Sequence, residues 1–136
     1  HEEVAAVCSP AYLARHGDIR DADDLLAHHT LMVVEDHYHD WLTWEGWYQA
    51  QNLAWRTPEH SLRANSFQLL MNATLAGQGV TLGWTRLLAA DLAQHNLVQA
   101  LPHTLPSRGR LSLLTPQHRH LTEPMRAFRA WVLGPA

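Results

Sequence analysis

Short apolar runs alternate with amphipathic stretches along this chain. The apolar runs are four to eight residues long and partly β-branched, which is typical of buried or half-buried strands. They lie at residues 4–8, 30–34, 61–65, 80–84, 97–101 and 109–116. The sequence therefore predicts several short strands separated by other elements.

Helical patterns fill most of the intervals between these runs. Capping residues or an early proline mark their starts, and glycine or asparagine marks several ends. Helices are predicted over residues 11–16, 21–29, 41–51, 66–76, 85–95 and 122–133. Thr85 and Thr122 are predicted caps, and Asn96 is a predicted left-handed helix end. Because helices and strands alternate, we expect an α/β fold with a mostly parallel sheet flanked by helices.

Two connections are predicted from their composition. Residues 35–40 are polar and should form a loop, and residues 102–108 contain two prolines and should form a linker. A different joint, Gly77-Gln78-Gly79, resembles a phosphate loop but follows a helix and precedes a strand. A phosphate loop needs the reverse order, so Gly77 is predicted to end the helix in the left-handed conformation and Gly79 to turn into the strand.

The start of the same helix, Asn65-Ser66-Phe67, has the opposite electrostatic character. A helix start carries about half a positive charge and several free N–H groups. Asn65 or Ser66 is therefore either a plain helix cap or a cap that also contacts a ligand, and the sequence alone leaves both interpretations open.

Four predicted strands end in residues suited to a binding edge. Ligands of open α/β sheets bind beyond the carboxyl ends of the strands. These ends are Cys8-Ser9, Val34-Glu35, Asn65-Ser66 and Gly83-Trp84-Thr85. If the strands are parallel neighbours, the four ends should meet at one edge. Gly83 would let Trp84 turn into a cleft, although packing of Trp84 beneath the next helix is equally compatible with the sequence.

Composition and charge exclude several classes of protein. The ten positive residues are all Arg and the formal net charge is −3. No basic stripe interleaved with aromatic residues occurs, so nucleic-acid binding by this segment is not expected. No apolar run approaches the ~20 residues of a membrane helix. The single Cys8 excludes an internal disulfide framework and is expected to be a buried thiol in a reducing compartment.

Histidines, serines and tryptophans suggest alternatives that the spacing does not support. The eleven histidines include His28-His29, His37 with His39, and His118 with His120, but no zinc-ligand spacing. Adventitious metal binding is conceivable only in the loop of His37 and His39. Ser9 and Ser66 lack the motif of a hydrolase nucleophile. Trp41 and Trp44 are expected to pack in the core rather than to form a cation cage. No catalytic residue, metal or cofactor is therefore predicted.

The order of several segments resembles the effector-binding domain of LysR-type transcriptional regulators, in particular the glycine-cleavage and β-lactamase regulator subgroup. The segments are VCSPAYLARHG, DADDLLAHHTLM, DWLTW, SFQLLMNATLAGQGVTLGW, LLAADLAQHNLV and MRAFRAWV. The family usually has Gly where Asn96 stands, and Asn tolerates the same backbone conformation.

This resemblance implies two lobes related to periplasmic binding proteins, with an effector between them. It assigns residues 1–107 to lobe two and residues 108–136 to a segment returning to lobe one. The winged helix-turn-helix that binds DNA and the first half of lobe one would lie outside this chain. By the resemblance, effector contacts lie at Asn65, Ser66, Phe67, Gly83 and Trp84 and, more weakly, at Val34 and Glu35.

The expected function is therefore sensing of a small polar, carboxylate-bearing metabolite by a cytoplasmic regulator that is a tetramer at full length. A lobe of a solute-binding protein is the alternative, and a metal-dependent hydrolase is a third hypothesis. Helix 122–133 presents Met125, Phe128 and Trp131 as an apolar stripe, so we expect this chain to form a dimer.

Overall fold

The computed structural model describes residues 3–35, 42–107, 112–118 and 120–134. Within these ranges it contains five strands and six helices. In chain order they are β1 (Glu3–Cys8), α1 (Pro10–His16), α2 (Ala22–His28), β2 (Thr30–Val34), α3 (Trp44–Ala50), β3 (His60–Ala64), α4 (Phe67–Leu75), β4 (Thr81–Trp84), α5 (Ala89–Ala93), β5 (Val98–Pro106) and α6 (Glu123–Leu133).

The strands are ordered β3, β2, β4, β1, β5 across the fold. β1 pairs with β4 on one side and with β5 on the other, and both pairings are antiparallel. β2 pairs with β3 in parallel, and a parallel bridge between Leu31 and Val80 joins β2 to the start of β4. Four strands therefore run in one direction and β1 runs in the other. The predicted α/β fold is confirmed. The strands other than β1 run parallel to one another, but the two pairings of β1 make the three-stranded part, β4-β1-β5, antiparallel.

The reversed direction of β1 corrects one expectation about the strand ends. Val4 at the start of β1 pairs with Trp84, whereas Cys8 at its end pairs with Val98. Cys8-Ser9 therefore lies at the edge opposite to Trp84, and the prediction that four carboxyl ends meet was wrong for this one. An apolar run predicts a strand but carries no information about its direction.

Side-chain caps set the starts of four helices, of which those at Ser9 and Ser66 were predicted. Ser9, Asp21, Thr43 and Ser66 each accept a backbone N–H in the first turn of the following helix. The cap at Thr43 explains why α3 begins at Trp44 rather than at residue 41, which lies outside the described residues. Thr122 stands at the N-cap position of α6 without a side-chain hydrogen bond to the helix.

The helix predicted over residues 85–95 is much shorter than expected. Thr85 donates its backbone N–H and its hydroxyl to the carbonyl oxygen of Glu3, at 2.9 and 3.3 Å. Thr85 thus extends the contact between β4 and β1 and does not cap a helix, so α5 covers only Ala89–Ala93. The left-handed residue at its end is His95, with φ of 58°, and not Asn96.

The predicted proline-containing linker is a strand instead. β5 continues from Val98 through Pro102 to Pro106 and, among the strands that the structure describes, pairs with β1 alone. An edge strand tolerates proline because the missing N–H is not needed by a second neighbour. Of the strand predicted over residues 109–116, residues 112–116 have no regular structure and the rest lies outside the described residues.

The joint after α4 is confirmed as a structural corner. Gly77 has φ of +77°, the left-handed conformation, and its carbonyl accepts a 2.6 Å hydrogen bond from Arg15 Nη2. Gly79 approaches β2 so closely that a Cβ atom there would lie 2.5 Å from the carbonyl oxygen of Thr30. Both glycines are therefore needed for backbone geometry.

An aromatic cluster from α3 forms the centre of the core. Trp47 and Tyr48 are fully buried and Trp44 nearly so. Each polar atom has a backbone acceptor: Trp44 Nε1 donates to Met32 O at 2.8 Å, Trp47 Nε1 to Val4 O at 3.3 Å and Tyr48 Oη to Ala22 O at 2.7 Å. The core role predicted for Trp44 is confirmed, and Trp41 lies outside the described residues.

A buried polar chain joins α1 and α2 to the start of β2. Thr30 donates its N–H to Tyr12 Oη at 2.9 Å, and Tyr12 Oη lies 3.2 Å from His29 Nδ1. Because the Tyr12 oxygen already accepts from Thr30, its own proton is free to be donated to His29 Nδ1, which requires a neutral imidazole. Burial lowers the pKa of His29 below its usual 6.5.

This arrangement predicts a loss of stability in mild acid. The unfolded chain binds a proton at His29 more readily than the folded chain, so stability is complete above pH 6.5 and falls as the pH drops below it. The slope should reach up to about 1.4 kcal/mol per pH unit. Urea unfolding between pH 7.5 and 5 measures it as the free energy of unfolding.

A matched pair of variants isolates this contribution. The His29→Asn variant keeps an acceptor for Tyr12 and cannot titrate, so its slope should flatten, while exposed His60→Gln should keep the slope. An unchanged slope in His29→Asn would contradict the assignment. Asp24 affects stability in a separate, more acidic pH range. The hydrogen bond from Arg20 holds the pKa of Asp24 below the usual 3.8, so the stability it contributes is lost only as the pH falls below that value.

Candidate functional site

The carboxyl ends of β2, β3 and β4 come together at one edge of the fold. Val34 pairs with Ala64, and Glu35 donates its N–H to the carbonyl oxygen of Ala64 at 2.8 Å. At the start of α4, the ring of Phe67 meets the ring of Trp84 edge to face, with centroids 5.5 Å apart and planes at 73°. Three of the four predicted strand ends therefore form one edge.

A concavity of about 110 Å³ lies at this edge. It is lined by Val4, Met32, Val33, Val34, Leu42, Thr43, Trp44, Phe67, Thr81, Leu82 and Trp84. The lining comes from three strands, β1, β2 and β4, from the first residues of the helices α3 and α4, and from the two residues just before α3. Apart from two threonine hydroxyls, the indole N–H groups and the thioether of Met32, its side chains are hydrocarbon or aromatic.

Local structure explains how the two rings reach the concavity. Ser66 Oγ accepts the N–H of Leu69 at 3.3 Å, which fixes the start of α4 and places Phe67 at its first helical position. Trp84 is the last residue of β4, on the same strand face as Leu82. Its indole Nε1 donates to Ser107 Oγ at 3.4 Å, just beyond β5.

The seven predicted site residues divide between lining and non-lining positions. Val34, Phe67 and Trp84 line the concavity. Asn65 and Glu35 are exposed and are not among its lining residues, and Ser66 uses its hydroxyl as the helix cap. The seven residues therefore share one region, but they do not all face the same space.

Gly83 requires a correction. It is buried, and a Cβ atom there would overlap the side chain of Leu88 and lie 3.5 Å from Val7. Gly83 therefore faces the small core beneath α5, on the side of β4 away from Trp84. Its missing side chain makes room for Leu88, and it does not open the cleft.

Sequence reasoning missed several lining residues. Leu82 was detectable, because it lies two residues before Trp84 and so shares its strand face. Leu42, Thr43 and Trp44 reach the concavity through tertiary packing of α3 against β2, which no local pattern indicates.

The serines and the cysteine that the sequence singled out have structural positions. The part of the chain that the structure describes contains no group of three or more His, Cys, Asp or Glu residues arranged to hold a metal ion. Ser9 and Ser66 cap helices. Cys8 is buried, as predicted, and burial raises the pKa of its thiol to about 12. His37 and His39 lie outside the described residues.

No helix among the described ranges is long and apolar enough to cross a membrane.

Sequence comparison identifies the family. The sequence model described as the LysR substrate binding domain matches residues 1–134. The chain belongs to the LysR substrate-binding domain family. The resemblance read from the ordered segments is thus confirmed, while the glycine-cleavage and β-lactamase regulator subgroup stays a prediction.

Solved structures of LysR-type effector domains are similar to this chain. The effector domain of the transcriptional regulator AmpR of Pseudomonas aeruginosa is 26% identical, with a TM-score of 0.72 over 97% of this chain and 60% of that one. An effector-binding domain of Citrobacter freundii carrying three substitutions is 25% identical, with a TM-score of 0.69 over 95% and 61%. The regulatory domain of AphB in Vibrio vulnificus, at 23% identity and a TM-score of 0.62 over 98% and 65%, shares the fold.

This LysR substrate-binding chain spans 60% and 61% of the length of the first two of these structures. The similarity therefore covers nearly all of the chain but only part of each compared domain. None of the curated proteins searched matches the chain.

Proposed function

We propose that this chain is the effector-sensing part of a LysR-type transcriptional regulator. A small-molecule effector would bind at the concavity between this lobe and a second lobe and thereby control DNA binding and transcription by the full-length protein. DNA would be contacted only through a separate N-terminal winged helix-turn-helix. The match to the LysR substrate-binding domain and the similarity to AmpR effector domains support this proposal.

The observation that carries the proposal is the concavity where three strand ends meet. Ligand-binding pockets usually enclose about 300–1,000 Å³. The volume of about 110 Å³ is well below that range, as expected when a second surface completes the site. This supports an interlobe position, with residues 1–107 as one lobe and residues 108–136 as the segment that returns to the other.

The proposed effector contacts fall into two groups. Val34, Phe67 and Trp84 line the concavity and would touch the effector directly. Asn65, Ser66 and Glu35 lie next to these residues in sequence and would supply polar contacts at the edge, close to the partial positive charge of the start of α4. Gly83 would not touch the effector. Its missing side chain would only leave room for Leu88 on the face of β4 opposite to Trp84.

Competing functions find less support. The lobe of a solute-binding protein is not favoured, because the family match and the similar solved structures are those of LysR-type regulators. We propose a non-enzymatic, cytoplasmic protein that uses no cofactor.

We propose that α6 mediates self-association of this chain. Its exposed apolar residues are Met125, Phe128, Trp131, Val132 and Leu133. A stripe of this kind favours burial against protein. We propose that it does so in a dimer of this chain, and that the full-length protein forms a tetramer. A sedimentation profile that stays monomeric at rising concentration of the chain would contradict the dimer.

The test of the proposed function is a promoter reporter driven by the full-length protein. Candidate metabolites are screened for an effect on transcription, and the effector found is titrated against the purified full-length protein. We expect Trp84→Ala to weaken effector binding about 10- to 100-fold, the usual cost of removing a central aromatic contact. The reporter response should shift to correspondingly higher effector concentration.

Leu69→Ala is the matched control for this experiment. Leu69 belongs to α4, is 58% exposed and is not among the lining residues. Its replacement should leave the effector affinity unchanged. Wild-type affinity in a variant with Asn65, Ser66 and Trp84 all replaced by Ala would overturn the proposed site.

A further inference from the structure

The lining of the concavity has a chemical character that the predicted polar effector does not explain. Val34 and Leu82 contribute hydrocarbon, and Phe67 and Trp84 contribute rings. No Arg, Asp, Glu or His is among the lining residues that the structure describes. A charged group placed there would lose hydration without gaining a charged partner, which is unfavourable.

We propose that the effector carries a compact apolar group, of the size of a single ring, that enters this concavity. The inference rests on the proposed function and refines its ligand: the effector is amphiphilic, with its apolar group against this lobe. A carboxylate or other polar end would remain at the edge, near the start of α4.

The volume limits the apolar group to about one ring. An apolar cavity of about 150 Å³ lined by aliphatic and aromatic side chains binds benzene. The concavity here measures about 110 Å³ and is open on one side, so one six-membered ring or a short branched chain fits partly within it. A fused bicyclic group would either extend beyond the opening or displace Phe67 or Trp84.

The ring pair at the edge favours an aromatic group. Phe67 and Trp84 meet edge to face at 73°, and aromatic rings prefer such tilted or offset contacts to one another. The polar atom of Trp84 is directed to Ser107 Oγ. The indole Nε1 is thus engaged with the protein, and the remainder of the side chain offers mainly apolar contact.

Three small fluorinated probes separate the apolar from the anionic contribution. Fluorobenzene has the ring alone, 4-fluorobenzoate has ring and carboxylate, and difluoroacetate has the carboxylate alone. Each is titrated against the full-length protein and followed by fluorine NMR. We expect both ring-bearing probes to bind and compete with one another, and difluoroacetate to show at least tenfold weaker binding.

Variants locate the binding to the concavity. Val34→Trp should fill it and weaken fluorobenzene binding at least tenfold, while the matched change Leu69→Trp, on the exposed side of α4, should have no effect. If Val34→Trp does not fold, Phe67→Ala serves instead: it enlarges the space and should raise the affinity for 1-fluoronaphthalene relative to fluorobenzene. Fluorobenzene binding that is unchanged in all of these variants would overturn the inference.

The outcomes distinguish this inference from the proposed function. A regulator whose effector is displaced by difluoroacetate but not by fluorobenzene would overturn the apolar group and leave effector sensing intact. The inference would also be overturned if neither fluorobenzene nor 4-fluorobenzoate bound. A third outcome is that Val34→Trp weakens fluorobenzene binding but the full-length protein has no effect on the promoter reporter. This outcome would support the apolar pocket and contradict the proposed function.

Discussion

Replacement of Trp47 by Ala should lower the free energy of unfolding by about 3–5 kcal/mol, the usual cost of removing a large buried aromatic side chain. Trp47 is fully buried, and its ring meets those of Trp44 and Tyr48 at centroid distances of 6.0 and 5.5 Å. The substitution also removes the donor to the carbonyl of Val4, at the start of β1, the strand between β4 and β5. One change therefore weakens both the core and the joint between α3 and the sheet.

Urea unfolding followed by far-ultraviolet circular dichroism measures this loss without relying on tryptophan fluorescence. Leu69→Ala is the control, because it truncates an apolar side chain on α4 that is 58% exposed and outside both the core and the proposed dimer surface. We expect the control to change the free energy of unfolding by no more than about 0.5 kcal/mol. Equal losses for the two variants would show that α3 does not anchor the core.

The second large effect is expected at Gly79. The Gly79→Val substitution places a Cβ atom 2.5 Å from the carbonyl oxygen of Thr30 and 2.9 Å from Met32 Cε. The carbonyl oxygen of Thr30 belongs to the backbone, so it cannot move away by a side-chain rotation. Val80 meanwhile donates its N–H to the same Thr30 oxygen at 2.9 Å, so relief of the overlap must disturb the junction of β2 and β4. We expect a loss of about 3 kcal/mol or more, the upper end of the overpacking range.

The neighbouring residue provides the control for this prediction. Gln78 is exposed, and Gln78→Val introduces the same side chain one position earlier. Its effect should stay within about 0.5 kcal/mol. Because the junction of β2 and β4 supports the candidate site, Gly79→Val should also weaken effector binding, whereas Gln78→Val should not. Equal stability of the two variants in urea unfolding would contradict the close approach at Gly79.

Local signals predicted most of the elements of this fold. Ser9, Asp21 and Ser66 marked helix starts through chemistry that depends only on nearby residues, and Gly77 marked a helix end in the same way. The direction of β1 was not predictable, because it depends on which strands lie beside it. The extension of β5 through two prolines likewise depends on its place at the sheet edge.

Part of the candidate site was also predictable from the sequence. Strand-end reasoning found Val34 and Trp84, and the helix start together with the family resemblance added Phe67. It misjudged Gly83, whose role is decided by the position of Leu88 on the far side of β4. The apolar character of the concavity depends on side chains from α3 and β2 meeting in space, which the sequence does not display.

The proposed effector site lies where the ends of β2, β3 and β4 meet. Fluorine NMR of the full-length protein labelled with fluorotryptophan, with resonances assigned by single Trp→Phe substitutions, tests it during an effector titration. We expect the Trp84 and Trp44 resonances to shift to saturation, while Trp55, which packs on Tyr48 away from the concavity, stays unchanged. A saturating shift of Trp55 with Trp84 and Trp44 unmoved would contradict it.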